Sequence, residues 1–156
     1  MFWDPDWLRD VDNKFSVLVH TADLKIRVTG SSLEELFKNA LIAMFQSIKP
    51  EAPGCKNQNG LLMCPELPQK HLVEVQSSDK ESLLIDFLSE ALYLSDVHGE
   101  AYLDAQIHTF AQTEIMATLR GVKVTGFTTE IKAVTYHDVH IVNQNDVWSV
   151  DIVFDI

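Results

Sequence analysis

The sequence predicts an α+β protein in which two amphipathic helices pack on one face of a mainly antiparallel β-sheet. Two apolar stripes at helical spacing, each preceded by a capping signature, supply the helices. Alternating runs near the start and from Ala101 to the end supply the strands, and the short turns between the later runs make neighbouring strands antiparallel.

The first alternating run places Phe15, Val17 and Val19 on one parity. After His20-Thr21 a second run puts Leu24, Ile26 and Val28 on one face and Asp23, Lys25 and Arg27 on the other, which reads as strand, kink, strand. Gly30 ends that strand. Ser32 and Glu35 then form a capping box before the stripe Leu33, Leu36, Phe37, Ala40, Leu41, Met44, Phe45 and Ile48, and Pro50 stops the helix. Residues 50–70 hold four prolines, two glycines and both cysteines, and are expected as an irregular surface excursion. A short strand at Leu72, Val73 and Val75 precedes a second capping box, Ser78 with Glu81, and a second helix ending near Ser95. Ala101 to Phe110 and Ile115 to Leu119 flank a tight Gln112-Thr113 turn, and Ile131 to Ile141 and Val147 to Ile156 complete the sheet. Residues 15–156 are thereby expected as one domain, preceded by an arm over 1–14 that lacks a clear period.

With 156 residues, 46% of them hydrophobic, the chain has material for one core. Its 23 acidic against 12 basic residues give a net charge of −11, which repels phosphate backbones and favours a cation or a basic protein partner over direct nucleic-acid binding. No apolar window of about 18 residues is present. The opening Met1-Phe2-Trp3-Asp4-Pro5-Asp6 carries acids where a signal peptide has bases, so a cytoplasmic protein without membrane attachment is expected. Two cysteines, Cys55 and Cys64, are too few for a disulfide scaffold. Reduced thiols are the simplest reading, with a local disulfide or half a metal site as alternatives.

In the last run Trp148, Val150, Ile152, Phe154 and Ile156 share one parity, so Asp155 faces away from the main apolar set, as Asp23 does. Two aspartates and the carboxylate of Ile156 make an oxygen donor set for a hard cation, although spacing alone favours solvated surface carboxylates. His137 and His140, three apart beside Asp138, would lie on opposite faces of a strand and make a poor zinc pair. His20 beside Asp23 reads as a hydrogen-bonded turn residue or a base. Lys132 projects opposite Ile131 and Ala133, together with Val134 and Tyr136. No phosphate loop, nucleophile elbow or paired-cysteine redox motif occurs.

Taken together, His20-Thr21-Ala22-Asp23, the Leu33-Glu34-Glu35-Leu36-Phe37 helix, Leu83 to Tyr93, Glu130 to His137 and the terminal Phe154-Asp155-Ile156 resemble the archease family. The resemblance runs from about Phe15 to the last residue. It implies an accessory factor, not an enzyme, that activates an RtcB-type RNA ligase by promoting its guanylation and multiple turnover in tRNA splicing and RNA repair. The family has also been linked to chaperone-like modulation of a tRNA cytosine-5-methyltransferase. The resemblance further implies calcium, or another divalent cation such as Mg2+ or Mn2+, on Asp23, Asp155 and Ile156. It makes Lys132 the functional lysine, expected with His20 to contact the partner or its nucleotide. The arm before Phe15 and the excursion from Glu51 to Gln69 depart from the family pattern. A small metal-dependent hydrolase and a protein-holding chaperone are the competing readings.

Overall fold

The computed structural model describes residues 14–19 and 23–156. Strands β1 (Phe15–Val19) and β2 (Asp23–Gly30) pair antiparallel, Phe15 opposite Val28 and Val17 opposite Ile26. The two runs are thus separate strands, as their break at His20-Thr21 suggests, and they pair with each other. Pairing sets the apolar residues of both runs on a common face, which a kinked continuation would not do.

Helix α1 (Leu33–Ser47) begins as the capping signature predicts, with Ser32 Oγ accepting the Glu35 amide at 3.0 Å. The Glu35 carboxylate accepts from Ser31 Oγ instead of closing the box on the Ser32 amide. Eleven of the fifteen α1 residues are buried, more than one stripe supplies, because α1 packs against strands of two different sheets. Its two buried amides are accordingly bonded: Asn39 Nδ2 donates to Thr29 O at 2.8 Å, and Gln46 brackets Leu62, donating to its carbonyl at 3.1 Å and accepting from its amide at 2.9 Å.

Helix α2 (Lys80–His98) differs from its expected ends. Asp79 caps it, accepting the Ser82 amide at 2.7 Å, so Ser78 and Glu81 do not form a box. The carboxylate of Asp79 sits nearer the first orphan amides and meets the positive end of the helix dipole. The helix continues past Ser95 to Gly99, whose φ of 65° is the left-handed cap that glycine adopts without strain.

The remaining strands are β3 (Pro50–Glu51), β4 (Lys56–Gln58), β5 (Leu61–Met63), β6 (Gln69–Gln76), β7 (Glu100–Ala111), β8 (Glu114–Lys123), β9 (Gly126–Phe127), β10 (Ala133–Val134), β11 (Val142–Gln144) and β12 (Val147–Asp155). Every described pairing is antiparallel, as the α+β class requires. One sheet runs β1-β2-β12-β10 with β11 also on β12, and a second runs β6-β8-β7. Helix α1 packs on β2 and on β7, one strand from each sheet, whereas α2 lies on the second sheet and β10. Phe37 and Phe45 of α1 anchor the core through edge-on contacts with Phe110 at 5.0 Å and Tyr102 at 5.4 Å.

Three further expectations change. Within 50–70 the chain forms the β4–β5 hairpin, and Leu61, Leu62, Cys64 and Leu67 are buried. The signal was Asn59-Gly60, both at positive φ, the dipeptide that suits a tight hairpin turn. That turn brings the two cysteines together, and they are disulfide-bonded, not reduced thiols. The strand expected over Ile131 to Ile141 shrinks to β10. Ile131, Val134, Val139 and Ile141 are buried at spacings that do not alternate, and Asp138 takes a φ of 50°.

At the start of β7, buried Glu100 accepts from the Tyr102 hydroxyl at 2.9 Å and lies 2.6 Å from His71 Nε2 and 3.3 Å from Lys123 Nζ. Burial pushes its carboxyl up, but these bonds together outweigh burial and hold it below the ordinary glutamate value. Burial, and next the bond to Glu100, raise the Tyr102 hydroxyl.

Two stability predictions follow from this packing. A Cβ on Gly121 would sit 1.9 Å from the Ala101 carbonyl oxygen, so Gly121→Ala should force β7 and β8 apart and cost about 1–3 kcal/mol in urea unfolding. Reduction, or Cys55→Ser with Cys64→Ser, should cost about 2–3 kcal/mol in the same assay, the loop-closure value for a short closed loop.

Candidate metal and partner site

Strands β2 and β12 pair over eight positions, from Trp148 opposite Gly30 to Asp155 opposite Asp23. The buried partners Val28 and Val150, Ile26 and Ile152 alternate with Arg27 and Asp151, Lys25 and Val153. All of the latter share the outer face with Asp23 and Asp155, as their parity requires.

The two ends of that face differ in charge. Arg27 grips Asp151 with two bonds of 2.8 and 3.0 Å, and Lys25 Nζ lies 3.9 Å away from the same carboxylate. The Arg27 bonds hold the Asp151 carboxyl below its usual range against the opposing effect of burial. At the other end, Asp155 and Asp23 stand directly opposite, where cross-strand Cβ atoms are about 5 Å apart. Among the described residues neither makes an ion pair. Like charges placed so repel, and a cation between them removes the repulsion.

Strand β10 brings a third motif to this end. Ala133 pairs with Asp155, and the Lys132 amide donates to the Asp155 carbonyl at 2.7 Å. Lys132 is exposed, but it does not share a face with buried Val134, because strand alternation stops at β10. Ile156 follows Asp155 directly and is 36% exposed. His20 lies outside the described residues. Among the described residues no three His, Cys, Asp or Glu side chains converge as metal ligands, so an ion on Asp23 and Asp155 must complete its shell with main-chain oxygens, water or a partner. The donor set is oxygen only, which suits a hard cation such as calcium.

A cleft of about 430 Å³ opens on this outer face at Asp23, lined by Asp23, Lys25, His137, Asp138, Asp151 and Val153. His137 Nε2 lies 3.1 Å from Asp138 Oδ2, and both side chains are largely exposed. A larger cleft of about 510 Å³ lies by the first turn of α1, but its Lys14 and Lys38 already pair with Glu35 at 3.8 Å and Asp104 at 3.2 Å. Sequence reasoning placed Lys25 and Arg27 on an outer face without linking them to a site, and did not single out Asp151. The missing fact was which strands pair.

Residues 15–156 match the model of the archease protein family (MTH1598/TM1083). The chain belongs to the archease family. The archease of Methanosarcina mazei is 35% identical over 153 residues, covering 92% of this chain and 96% of that protein. That of Pyrococcus abyssi is 35% identical over 145 residues, covering 88% and 94%. Among solved structures, protein 1598 of Methanobacterium thermoautotrophicum superimposes with a TM-score of 0.65 at 25% identity, over 91% of this chain and 98% of that one. An archease from Thermotoga maritima, described as a possible chaperone, gives a TM-score of 0.58 at 24% identity over 89% and 94%, and so supports the fold alone. No helix of the described residues is long and apolar enough to cross a membrane.

The Arg27–Asp151 bond carries a pH signature. Because the folded Asp151 carboxyl titrates below its unfolded value, its stabilisation is fully present above the unfolded value near 3.8 and is lost as pH falls through the lower folded value. Asp151→Asn should therefore flatten the acid limb of a plot of stability against pH, measured by urea unfolding between about pH 2 and 6.

Proposed function

We propose that the chain is a metal-binding accessory protein of RNA and tRNA processing that activates an RtcB-type RNA ligase, promoting its guanylation and multiple turnover. One observation carries this reading: three segments far apart in sequence, those of Asp23, Lys132 and Asp155, meet at one end of one sheet, with two opposed carboxylates and a lysine beside them. Membership of the archease family supports it, since the match runs through all three segments.

Asp23 and Asp155 hold the divalent cation, with a main-chain oxygen of Ile156 as a further ligand. When bound, the cation supplies positive charge at an otherwise acidic tip. Lys132 adds a second positive charge next to it and contacts a phosphate of the partner's nucleotide. Rigid strands present Asp23 and Asp155, so the tip is preorganised and little ordering opposes docking. The net charge of −11 favours encounter with a partner whose surface around its nucleotide pocket is basic. The protein then conditions another active site and needs no base or nucleophile of its own.

Calorimetric titration with calcium and a ligase guanylation assay test this together. Asp23→Ala should weaken calcium binding at least about tenfold and depress guanylation, given that even outer-shell changes at metal sites cost that much. Lys132→Ala should leave calcium affinity within about twofold, as a change outside the ligand set and away from the core, yet depress guanylation. Two variants as active as the parent would sink the reading. Phosphoester turnover by the purified protein, lost in Asp23→Ala, would favour a hydrolase instead.

A further inference from the structure

The segment after β9, residues 128–141, leaves the end of α1, where the Thr128 and Thr129 amides donate to the Lys49 and Ile48 carbonyls. It passes the edge of the first sheet to α2 with only the two residues of β10 in regular structure. At the sheet it is tied by the Lys132 bond to Asp155 and by Thr135, whose amide and hydroxyl both reach the Val153 carbonyl, at 3.1 and 3.0 Å. At the helix it is tied twice. The Ile141 amide donates to Glu81 Oε2 at 3.1 Å, and the Tyr136 hydroxyl donates to Asp86 Oδ1. Between these ties stand His137 and Asp138, the residues that wall the cleft beside Asp23.

Asp86 is held for this task. Its second oxygen accepts from Ser77 Oγ at 2.6 Å, which fixes the carboxylate on the outer side of α2. Tyr136 itself is 60% exposed, so burial contributes little to its position and the hydroxyl bond decides it. That bond also raises the Tyr136 hydroxyl above its ordinary value, keeping the donor protonated. The next two residues, His137 and Asp138, are mostly exposed, and Asp138 sits at positive φ. Around the turn, the His137 amide donates to Thr135 Oγ1 at a long 3.4 Å and Val139 is buried, while the Tyr136 bond to Asp86 ties the residue just before it to α2.

We infer that Asp86 is a positioning residue for the site: by anchoring Tyr136 on α2, it sets the His137–Asp138 wall of the cleft against the Asp23–Asp155 end of the sheet. Its effect on ligase activation rests on the function proposed above, but its effect on the wall does not. Asp86 and Tyr136 do not line the cleft, so the effect passes through the chain and not through contact with a ligand.

The test uses the full chain with Asp86→Asn and Tyr136→Phe, singly and combined, and Ser77→Ala as a control for the other Asp86 bond. Amide exchange of residues 136–140 should quicken about 3- to 10-fold in each single variant, the range for one ordinary hydrogen bond, while exchange in α1 and β12 stays at the parent's rate. The double variant should match the singles, because both changes remove one interaction. Ser77→Ala leaves the Tyr136–Asp86 bond in place but loosens the carboxylate, so it should quicken exchange less than either Asp86→Asn or Tyr136→Phe does. Calcium should shift the His137 imidazole resonance in the parent and shift it less than half as far in the two single variants, with calcium affinity unchanged. Parent-like exchange at 136–140 in both single variants overturns the inference, and so does a His137 response to calcium equal to the parent's. If the parent binds no calcium and activates no ligase, the proposed function falls, and the exchange rates alone still decide the positioning claim.

Discussion

The eight-position pairing of β2 with β12 is the constraint on which the other features of the site depend. It joins the first fully described strand to the last and sets their apolar sets, Ile26 and Val28 with Val150, Ile152 and Phe154, against α1. A slip of one residue would turn these side chains to solvent and bury Arg27 and Asp151, so burial itself enforces the register. With that register in place, Asp23 and Asp155 oppose each other as a by-product. Both β10 and β11 then depend on β12 for their pairing, and β10 places Lys132 next to Asp155.

Electrostatics along this face form a gradient. The Arg27, Lys25 and Asp151 end is internally compensated, whereas among the described residues neither Asp23 nor Asp155 makes an ion pair. Uncompensated charge on rigid strands costs folding energy, and a bound cation would return it. Such an arrangement is expected where a protein keeps a local rule broken for the sake of a site. Helix α1 holds the face in place from behind. Wedged between two sheets, it spends two buried amides on backbone bonds, Asn39 to β2 and Gln46 to β5, that tie each neighbour to it.

The legible parts of the chain were those governed by short-range physics. The cap at Ser32, the outward parity of Asp23 and Asp155 and the Gln112-Thr113 turn between β7 and β8 appear where the residues say they should. The Asn59-Gly60 turn was equally local and was obscured by the prolines and cysteines around it. Ser78 and Asp79 both qualify as caps by residue type, and Glu81 looked like a box partner. The Asp79 carboxylate takes the cap, and Glu81 instead accepts from the Ile141 amide, 60 residues away. The strand expected over Ile131 to Ile141 also failed. Its buried residues Ile131, Val134, Val139 and Ile141 are spaced three, five and two apart, so no single face, and hence no period of two, describes them.

By itself the sequence determined which side chains turn away from the core, because strand parity is a property of neighbouring residues. It determined the α+β class and, through motifs, the family. Only the tertiary structure decided that Asp23 faces Asp155, that Lys132 lies one hydrogen bond from the same residue, and that Cys55 meets Cys64. Those are contacts between segments that share no local interaction, and they are chosen by the common burial of the apolar faces behind them.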